Sequence, residues 1–251
     1  MRLRFLGETL ACVVLLSLAL PGWAKAQTNS NALSDLELLT SLQPQGATFF
    51  MGGALTNRRA SDDDSWDGSA NIGVSFGDVD RNVNVRAAAV ITSLSNEFAD
   101  SGYLSARIAR RQSIFGVPIQ GALTFSNIAG WGDAQSNIET FQVAVSVAPI
   151  LRRADGRQMQ LSFSLAAKSD LRDLFSDTTY SFSSALFFNP TTSANLAIVD
   201  GSFHFGANYT FANVLGRGEN LFVGLTLADA FDHNDHRRVI LRGGVSIPFG
   251  N

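Results

Sequence analysis

Few side chains in this chain have the type and spacing that catalysis needs. Of its three histidines, only His204 lies in a regularly alternating stretch, where it shares a face with Ser202. A nucleophilic serine needs a base within hydrogen-bond reach and a third group that orients the base. Residues i and i+2 of a strand lie roughly 6–7 Å apart, and no hydrolase motif flanks this pair. We therefore predict no catalytic residue, and a lipid hydrolase built on Ser202 and His204 is kept only as an alternative.

Metal and cofactor chemistry has equally little support. Residues 62–64, all aspartate, and Asp67 could offer oxygen ligands to a divalent cation, but they lack the Gly and Glu spacing of an EF-hand loop. A solvated acidic loop accounts for them. His233 and His236 are flanked by residues typical of an exposed turn, and the chain has no P-loop or dinucleotide fingerprint. We predict no cofactor and no metal site.

Five polar residues fall on the small, hydrophilic side of alternating stretches. Charged side chains are costly to bury without a partner, so arginines in such positions need water, an anion or an acid. Water and anions would mean an aqueous interior whose positive charge favours anionic solutes. Pairing with Asp35 or Glu37 would mean a filled interior instead, and the sequence leaves both interpretations open. The five candidate interior residues are Arg86, Arg107, His204, Asn208 and Arg242.

The elements that position these residues follow an export signal. Arg2 and Arg4 precede an apolar run over residues 10–20, which is too short to cross a bilayer as a helix. Ala-Lys-Ala at 24–26 fits a cleavage site, so we predict a signal peptide at residues 1–26. Its removal lowers the basic residues from 19 to 16 and the acidic residues from 22 to 21. The net charge then moves from −3 to −5, which argues against nucleic acid as a partner.

One short helix is predicted after the signal peptide. Ser34 and Glu37 have capping-box spacing, and leucines recur every third residue from 36 to 42 before Pro44. We assign residues 27–45 to an N-terminal segment that contains this helix. The segment could lie in a barrel lumen, pack against its mouth or stay frayed.

From residue 46 onward, apolar residues recur at every second position, which is typical of strands. In the seventh such stretch, Met159, Leu161 and Phe163 face away from Gln160 and Ser162. We predict an all-β, antiparallel domain over residues 46–251 with twelve strands, and ten as the fallback count. The predicted strands cover residues 46–57, 69–78, 83–94, 102–112, 117–127, 138–150, 158–168, 178–188, 193–199, 202–213, 219–229 and 237–249.

Side-chain type indicates which face of the strands meets water. A face in bulk water is normally rich in Lys and Glu, yet Lys168 is the only lysine after residue 26, and the polar face consists mainly of small residues. Small polar residues suit a confined lumen, and the large apolar residues then face lipid. The pattern therefore predicts a transmembrane β-barrel rather than a soluble barrel or sandwich. Phe is expected at both membrane interfaces, with help from Trp66, Trp131, Tyr103, Tyr180 and Tyr209.

The lengths of the connections support an even strand count. Even-to-odd connections such as 77–81 and 189–192 are short, whereas odd-to-even connections such as 58–67 are mostly longer and acidic. Transmembrane barrels have short periplasmic turns and longer external loops, so both ends of the domain are expected on the periplasmic side. The tight connection at residues 200–201 breaks this rhythm.

The last strand carries the most specific local motif. Residues 242–249, Arg-Gly-Gly-Val-Ser-Ile-Pro-Phe, have a polar first residue, a glycine two positions later, and apolar or aromatic residues at positions six and eight. This motif resembles the terminal β-signal of bacterial outer-membrane β-barrel proteins, by which they are recognised for assembly. The resemblance implies a closed barrel in the outer membrane of a Gram-negative cell. It also implies an assembly signal at Arg242, Gly244, Ile247 and Phe249.

The barrel and its polar interior predict a passive outer-membrane pore for small solutes. Such a pore works by size and interior charge, without chemistry on the solute. The alternative is a non-conducting structural or surface-interaction barrel, filled by its own side chains or by the N-terminal helix. The expected partners are outer-membrane lipids, the assembly machinery and small solutes. The sequence identifies neither the solute nor the oligomeric state.

Overall fold

The computed structural model shows one sheet that curves round and closes on itself. No helix in its described part is long and apolar enough to cross a membrane. The predicted signal peptide (1–26) and the predicted N-terminal helical segment (27–45) lie outside the described residues. The described residues are 47–57, 67–92, 94, 99–152, 158–172, 178–214, 216, 218–233 and 237–249.

Twelve strands follow one another in the chain and around the sheet, and each pairs antiparallel with its neighbours. The last strand pairs with the first, from Thr48 opposite Pro248 to Thr56 opposite Ile240, and this pairing closes the barrel. The predicted fold class and the count of twelve are confirmed. The strands are β1 (Thr48–Thr56), β2 (Asp67–Phe76), β3 (Asn84–Ile91), β4 (Gly102–Ile114), β5 (Val117–Ser126), β6 (Thr140–Val147), β7 (Gln158–Asp170), β8 (Thr179–Phe187), β9 (Thr192–Val199), β10 (Ser202–Ala212), β11 (Asn220–Ala228) and β12 (Arg238–Pro248).

An even number of antiparallel strands brings the start of β1 and the end of β12 to the same end of the barrel. We call this the terminal end and the opposite one the loop end. At the loop end, β9 and β10 are joined by Asp200 and Gly201, whose φ angles are 49° and 80°. Two residues with positive φ form a type I′ turn, which suits the twist of a two-residue hairpin. The connection at residues 200–201, which is shorter than the other odd-to-even connections, is therefore a two-residue β-hairpin.

Alternate residues of each strand point into and out of the barrel. In β1, Thr48, Phe50 and Ala54 are buried, whereas Met51 and Leu55 are about half exposed. Residues opposite each other on neighbouring strands share a face, so the register carries this alternation around the barrel. The predicted orientation follows, with the large apolar side chains outside and the small polar ones inside.

The inward face is built mainly from Ser, Ala, Thr, Asn and Gly. In β8, Ser181, Ser183 and Ala185 are buried, while Tyr180 on the outer face is half exposed. In β7, Ser162, Ser164 and Ala166 show the same burial. Small inward side chains leave room for the few long polar ones that share the interior.

Aromatic side chains lie on the outer surface near both ends of the barrel. At the terminal end, the rings of Phe76 and Phe249 meet edge to face at 5.8 Å. At the loop end, Phe231 packs on Phe203 at 5.3 Å. Phenylalanine thus fills positions where outer-membrane barrels usually carry Tyr and Trp.

Tyr103 is an exception, and its predicted interface position is wrong. It lies on the same face of β4 as Arg107 and is only 3 % exposed, because the alternation of the strand turns it inward. Trp66, also predicted at an interface, lies outside the described residues.

Pro248 ends β12 without costing the barrel a hydrogen bond. Phe249 donates its backbone N–H to Ala47 on the β1 side, at 2.9 Å. Successive backbone groups of a strand point to opposite sides, so the nitrogen of Pro248 faces β11. There the pairing has already ended at Asn220 opposite Ser246, and no ladder donor is required.

Candidate functional site

Basic side chains outnumber acidic ones among the inward positions of the described strands. The register assigns every charged strand residue to one face, because each inward residue lies opposite another inward residue. The inward acidic residues are Asp67 and Asp170, and the inward basic residues are Arg86, Arg107, Arg111, Lys168, Arg238 and Arg242. The barrel interior is therefore the candidate functional site, and the inward charge of the strands is positive. Two further acids, Glu219 and Asp229, are buried beside the ends of β11.

Two arginines lie directly opposite each other on β3 and β4. Arg86 pairs in register with Arg107, which is 5 % exposed. The guanidinium of Arg86 stacks on the ring of Phe50, with 3.6 Å from its central carbon to the ring centre. The ring of Phe50 in turn lies over Gly73, its cross-strand partner, where a Cβ atom would overlap it. A glycine, a ring and a cation thus stack on one stretch of wall, and the cation–π contact orients the charge.

The connection between β2 and β3 folds into the terminal end of the barrel. Val79 is fully buried and packs against Ala109 and Ala122, which are inward residues of β4 and β5. Its carbonyl accepts the backbone N–H of Arg111 at 2.7 Å, and Asp80 lies 3.4 Å from the Arg111 guanidinium. This turn narrows the interior at the terminal end.

A second polar cluster lies on the wall formed by β9 to β12. Arg242 donates to Asn208 at 3.2 Å and to Thr226 at 2.9 Å. Asn208 donates in turn to Asn195 at 3.3 Å and to Ser193 at 3.5 Å. We call these five residues the β9–β12 polar wall, and they place a charged guanidinium within a continuous hydrogen-bonded network.

His204 lies beside this wall on β10 and is 5 % exposed. Its Nε2 atom is buried without a hydrogen-bond partner, so it is not bonded to the hydroxyl of Ser202. A Ser–His nucleophile needs that bond, and the geometry does not supply it through this nitrogen. Among the described residues, no group of three or more His, Cys, Asp or Glu side chains is placed to hold a metal ion.

The five predicted interior residues all lie on the inward face, although the structure divides them between two places. Arg86 and Arg107 belong to the β3–β4 wall, and His204, Asn208 and Arg242 belong to the β9–β12 side. The sequence analysis missed Asn195, Arg111, Lys168 and Arg238, which could have been found by extending the same alternation along each strand.

The residues of the predicted assembly signal are split between the two faces of β12. Arg242 and Gly244 point inward, whereas Ile247 is 39 % exposed on the outer face. Phe249 follows the strand, is 40 % exposed and packs on Phe76. This strand also pairs with β1 to close the barrel, so its outer apolar residues border that closing pair of strands.

The fold resembles solved bacterial β-barrels. The KdgM porin, solved alone and in complex with disordered oligogalacturonate, aligns with a TM-score of 0.57 and 7 % identity, over 81 % of this chain and 99 % of the porin chain. The translocator domain of autotransporter NalP from Neisseria meningitidis aligns with a TM-score of 0.50 and 9 % identity, over 88 % of this chain and 96 % of that domain. No protein-family model and no curated protein sequence matches the chain.

The fold and the two faces define the class of the protein. It is a twelve-stranded transmembrane β-barrel of the bacterial outer-membrane type. Its apolar outer face requires lipid around it, and closed barrels of this kind reside in the outer membrane, so that is its location.

Proposed function

We propose that the barrel is a passive outer-membrane pore for small solutes and that its interior favours anions. The observation that carries the proposal is the excess of inward basic residues on the strands, with Arg86 directly opposite Arg107. Fixed charges inside a pore attract ions of opposite sign and repel those of like sign. No covalent step on the solute is involved.

The likeness to a porin adds support at the level of architecture. The KdgM porin was solved with oligogalacturonate, whose sugar units carry carboxylates. A positive interior in the present barrel suits solutes that are negatively charged, as oligogalacturonate is. The inward basic residues of this chain, rather than the likeness, set the expected preference.

Electrical recording of the refolded protein tests the proposal. In a planar bilayer with a potassium chloride gradient, we expect discrete current steps and a reversal potential whose sign shows preference for chloride. A cation-selective current, or no current under conditions in which the heat-shifted gel mobility shows folded barrels, would contradict it.

A non-conducting barrel is the second candidate, and one observation favours it. Arg107 and Arg242 are only 5 % and 3 % exposed, and the buried Val79 narrows the terminal end. Such burial is expected where an interior is filled by its own side chains. The same recording separates the two, because a filled barrel folds, shifts on the gel and carries no current.

We also propose that Arg242, Gly244, Ile247 and Phe249 form the signal for the assembly machinery. The exposure of Ile247 and Phe249 on the outer face of the closing strand supports this role. Phe249→Ala should slow membrane insertion by purified assembly machinery while leaving spontaneous refolding in detergent nearly unchanged. An equal loss in both reactions would point to a purely structural role.

A further inference from the structure

An amide nitrogen and an imidazole nitrogen on the β9–β12 side of the interior are buried without a hydrogen-bond partner. They are Nδ2 of Asn195 and Nε2 of His204. Both side chains are 5 % exposed. A buried donor in this state has lost its water without gaining an acceptor, which is unfavourable unless something else supplies one.

The amide and threonine oxygens of the β9–β12 polar wall already accept hydrogen bonds from within the wall. The side-chain oxygen of Asn195 accepts from Asn208, and the side-chain oxygens of Asn208 and Thr226 accept from Arg242. With these acceptors engaged, the NH₂ group of Asn195 stays buried without a partner on the inward face of β9. Asn195 and His204 therefore require a hydrogen-bond acceptor from outside the wall.

Two inward glycines leave room for the side chains of this network. A Cβ atom on Gly206 would lie 2.6 Å from the Asn195 side-chain oxygen and 2.8 Å from the Thr226 hydroxyl. A Cβ atom on Gly224 would overlap the side-chain oxygen of Asn208. Both glycines lie inward, between the polar residues of neighbouring strands. The two glycines thus leave the space that the amide groups of Asn195 and Asn208 occupy, and a larger side chain at either position would displace them.

Asn195 and His204 lie close enough to bind one ligand. Asn195 pairs with Gly206, and His204 lies two positions before Gly206 on β10. This diagonal arrangement puts the two residues roughly 7–8 Å apart at the backbone, within reach of each other's long side chains. In the tautomer that carries the proton on Nε2, His204 is a donor like the Asn195 amide, and a planar group with two acceptor oxygens can take one hydrogen bond from each nitrogen.

We infer that Asn195 and His204 form a binding subsite for the carboxylate of a small organic acid. The inference rests on the proposed function, because the subsite would lie on the path of the solute. The Arg242 guanidinium is held in the adjoining network. Arg238 and the buried carboxylate of Asp229 act electrostatically on His204, so the two arginines outweigh one acid around the subsite. A low local dielectric strengthens both the hydrogen bonds and the attraction of the arginines for an anion.

Nuclear magnetic resonance of the histidines tests the subsite without relying on conduction. The chain has three histidines, so ¹⁵N-histidine labelling gives a simple spectrum in which the His204 signal is assigned by its loss in His204→Ala. Titration of the refolded protein in detergent with sodium glucuronate should shift the His204 ring signal saturably. Titration with glucose, which lacks the carboxylate, should leave it in place.

A matched pair of variants identifies the role of the amide. Asn195→Asp keeps the oxygen that accepts from Asn208 and replaces the donating NH₂ with a second oxygen. It should weaken glucuronate binding by about tenfold or more, as expected for a lost charge-assisted hydrogen bond. Gln142→Glu makes the same change at an inward residue of β6 that is 4 % exposed, and it should leave binding unchanged.

The outcomes separate the subsite from the pore. If the barrel conducts but glucuronate does not shift the His204 signal, or glucose shifts it equally, the subsite proposal is wrong and the pore proposal stands. A saturable glucuronate response in a barrel that carries no current supports the subsite and overturns the pore. If Asn195→Asp binds glucuronate as tightly as the wild type, the subsite proposal is also wrong. If that variant fails to refold, the titration of the wild type alone decides the question.

Discussion

Gly73 and Gly121 are both strand glycines, but they differ in what a side chain would meet. A Cβ atom on Gly73 would overlap the carbonyl of Ala87 and the ring of Phe50, whereas one on Gly121 would meet nothing within 4 Å. We expect Gly73→Ala to lower the free energy of unfolding by about 1–3 kcal/mol, because Phe50 must leave the wall. Gly121→Ala should be neutral or slightly stabilising. Urea titration in detergent micelles measures both, and equal losses would disprove the packing argument.

Arg107 and Arg110 lie on the same strand and face opposite ways. Arg107 points into the barrel opposite Arg86, while Arg110 is exposed on the outer face. Arg107→Gln should lower the chloride-to-potassium permeability ratio about fivefold or more, since a unit charge at 4 Å contributes ~1 kcal/mol even in bulk water. Arg110→Gln is the control and should leave the ratio unchanged. A ratio that does not respond to Arg107→Gln would remove this arginine from the selectivity mechanism.

For a single residue, the sequence predicts which face of a strand its side chain occupies better than which side chains it contacts. Arg86, Arg107 and Arg242 could be placed inside because the alternation of a strand has a period of two and tolerates small boundary errors. That Arg242 bonds Asn208 depends on the register between β10, β11 and β12, which sequence spacing does not determine. The unpartnered nitrogen of Asn195 depends on the same register.

The β2–β3 connection is the element whose role the sequence could not indicate. As a short turn with Gly77 and Asp78, it has ordinary turn composition. Asp78 accepts the backbone N–H of Asp80 at 2.9 Å, a local bond that the composition does predict. The burial of Val79 between Ala109 and Ala122 is a contact between distant segments, and only the closed barrel brings them together.

Val79 and Val83 both lie in this connection and offer a matched test. Val79 is fully buried and Val83 is 43 % exposed. Val79→Thr keeps the shape but buries a hydroxyl, so we expect a loss of about 1–3 kcal/mol in the free energy of unfolding. Val83→Thr should cost little. If the barrel conducts, loosening the turn should also lengthen the open events in Val79→Thr but not in Val83→Thr, and identical records would show that the turn does not narrow the path.

Strand boundaries were predictable where a turn residue marks them and less so where the chain kinks. All predicted ends lie within about three residues of the observed ones. The largest differences include the sixth strand, predicted over 138–150, which ends at Val147 because Pro149 interrupts the ladder. Residues Ile150–Arg152 then resume pairing with β7, and alternation alone reads the whole stretch as one strand.

Across the whole molecule, the size and the polarity of the side chains on the two faces of the strands indicate which face meets water. An apolar face of large residues and a polar face of small ones fit a barrel only if the small side chains share the confined side. A soluble barrel would reverse the faces and would show Lys and Glu outside. The exposed positions of this barrel carry residues such as Leu225, at 54 %, and Met51, at 50 %. Closure itself comes from β12 pairing with β1, a contact between the two ends of the domain.

The outer face therefore has a depth-dependent tolerance for charge, which a pair of arginine substitutions can measure. Leu225 lies near the middle of β11 on the outer face, and Leu225→Arg should destabilise the barrel in vesicles by about 2–4 kcal/mol. Phe115 lies in the turn between β4 and β5, is 93 % exposed, and should tolerate Phe115→Arg at about 0–1 kcal/mol because it lies beyond the strands. The folded fraction, read from heat-shifted gel mobility across a urea series, gives both values. In detergent micelles, where the apolar layer can deform around a charge, the difference should shrink. Equal tolerance at both sites in vesicles would mean that the apolar face is not in lipid, and the assignment to a membrane would fall with it.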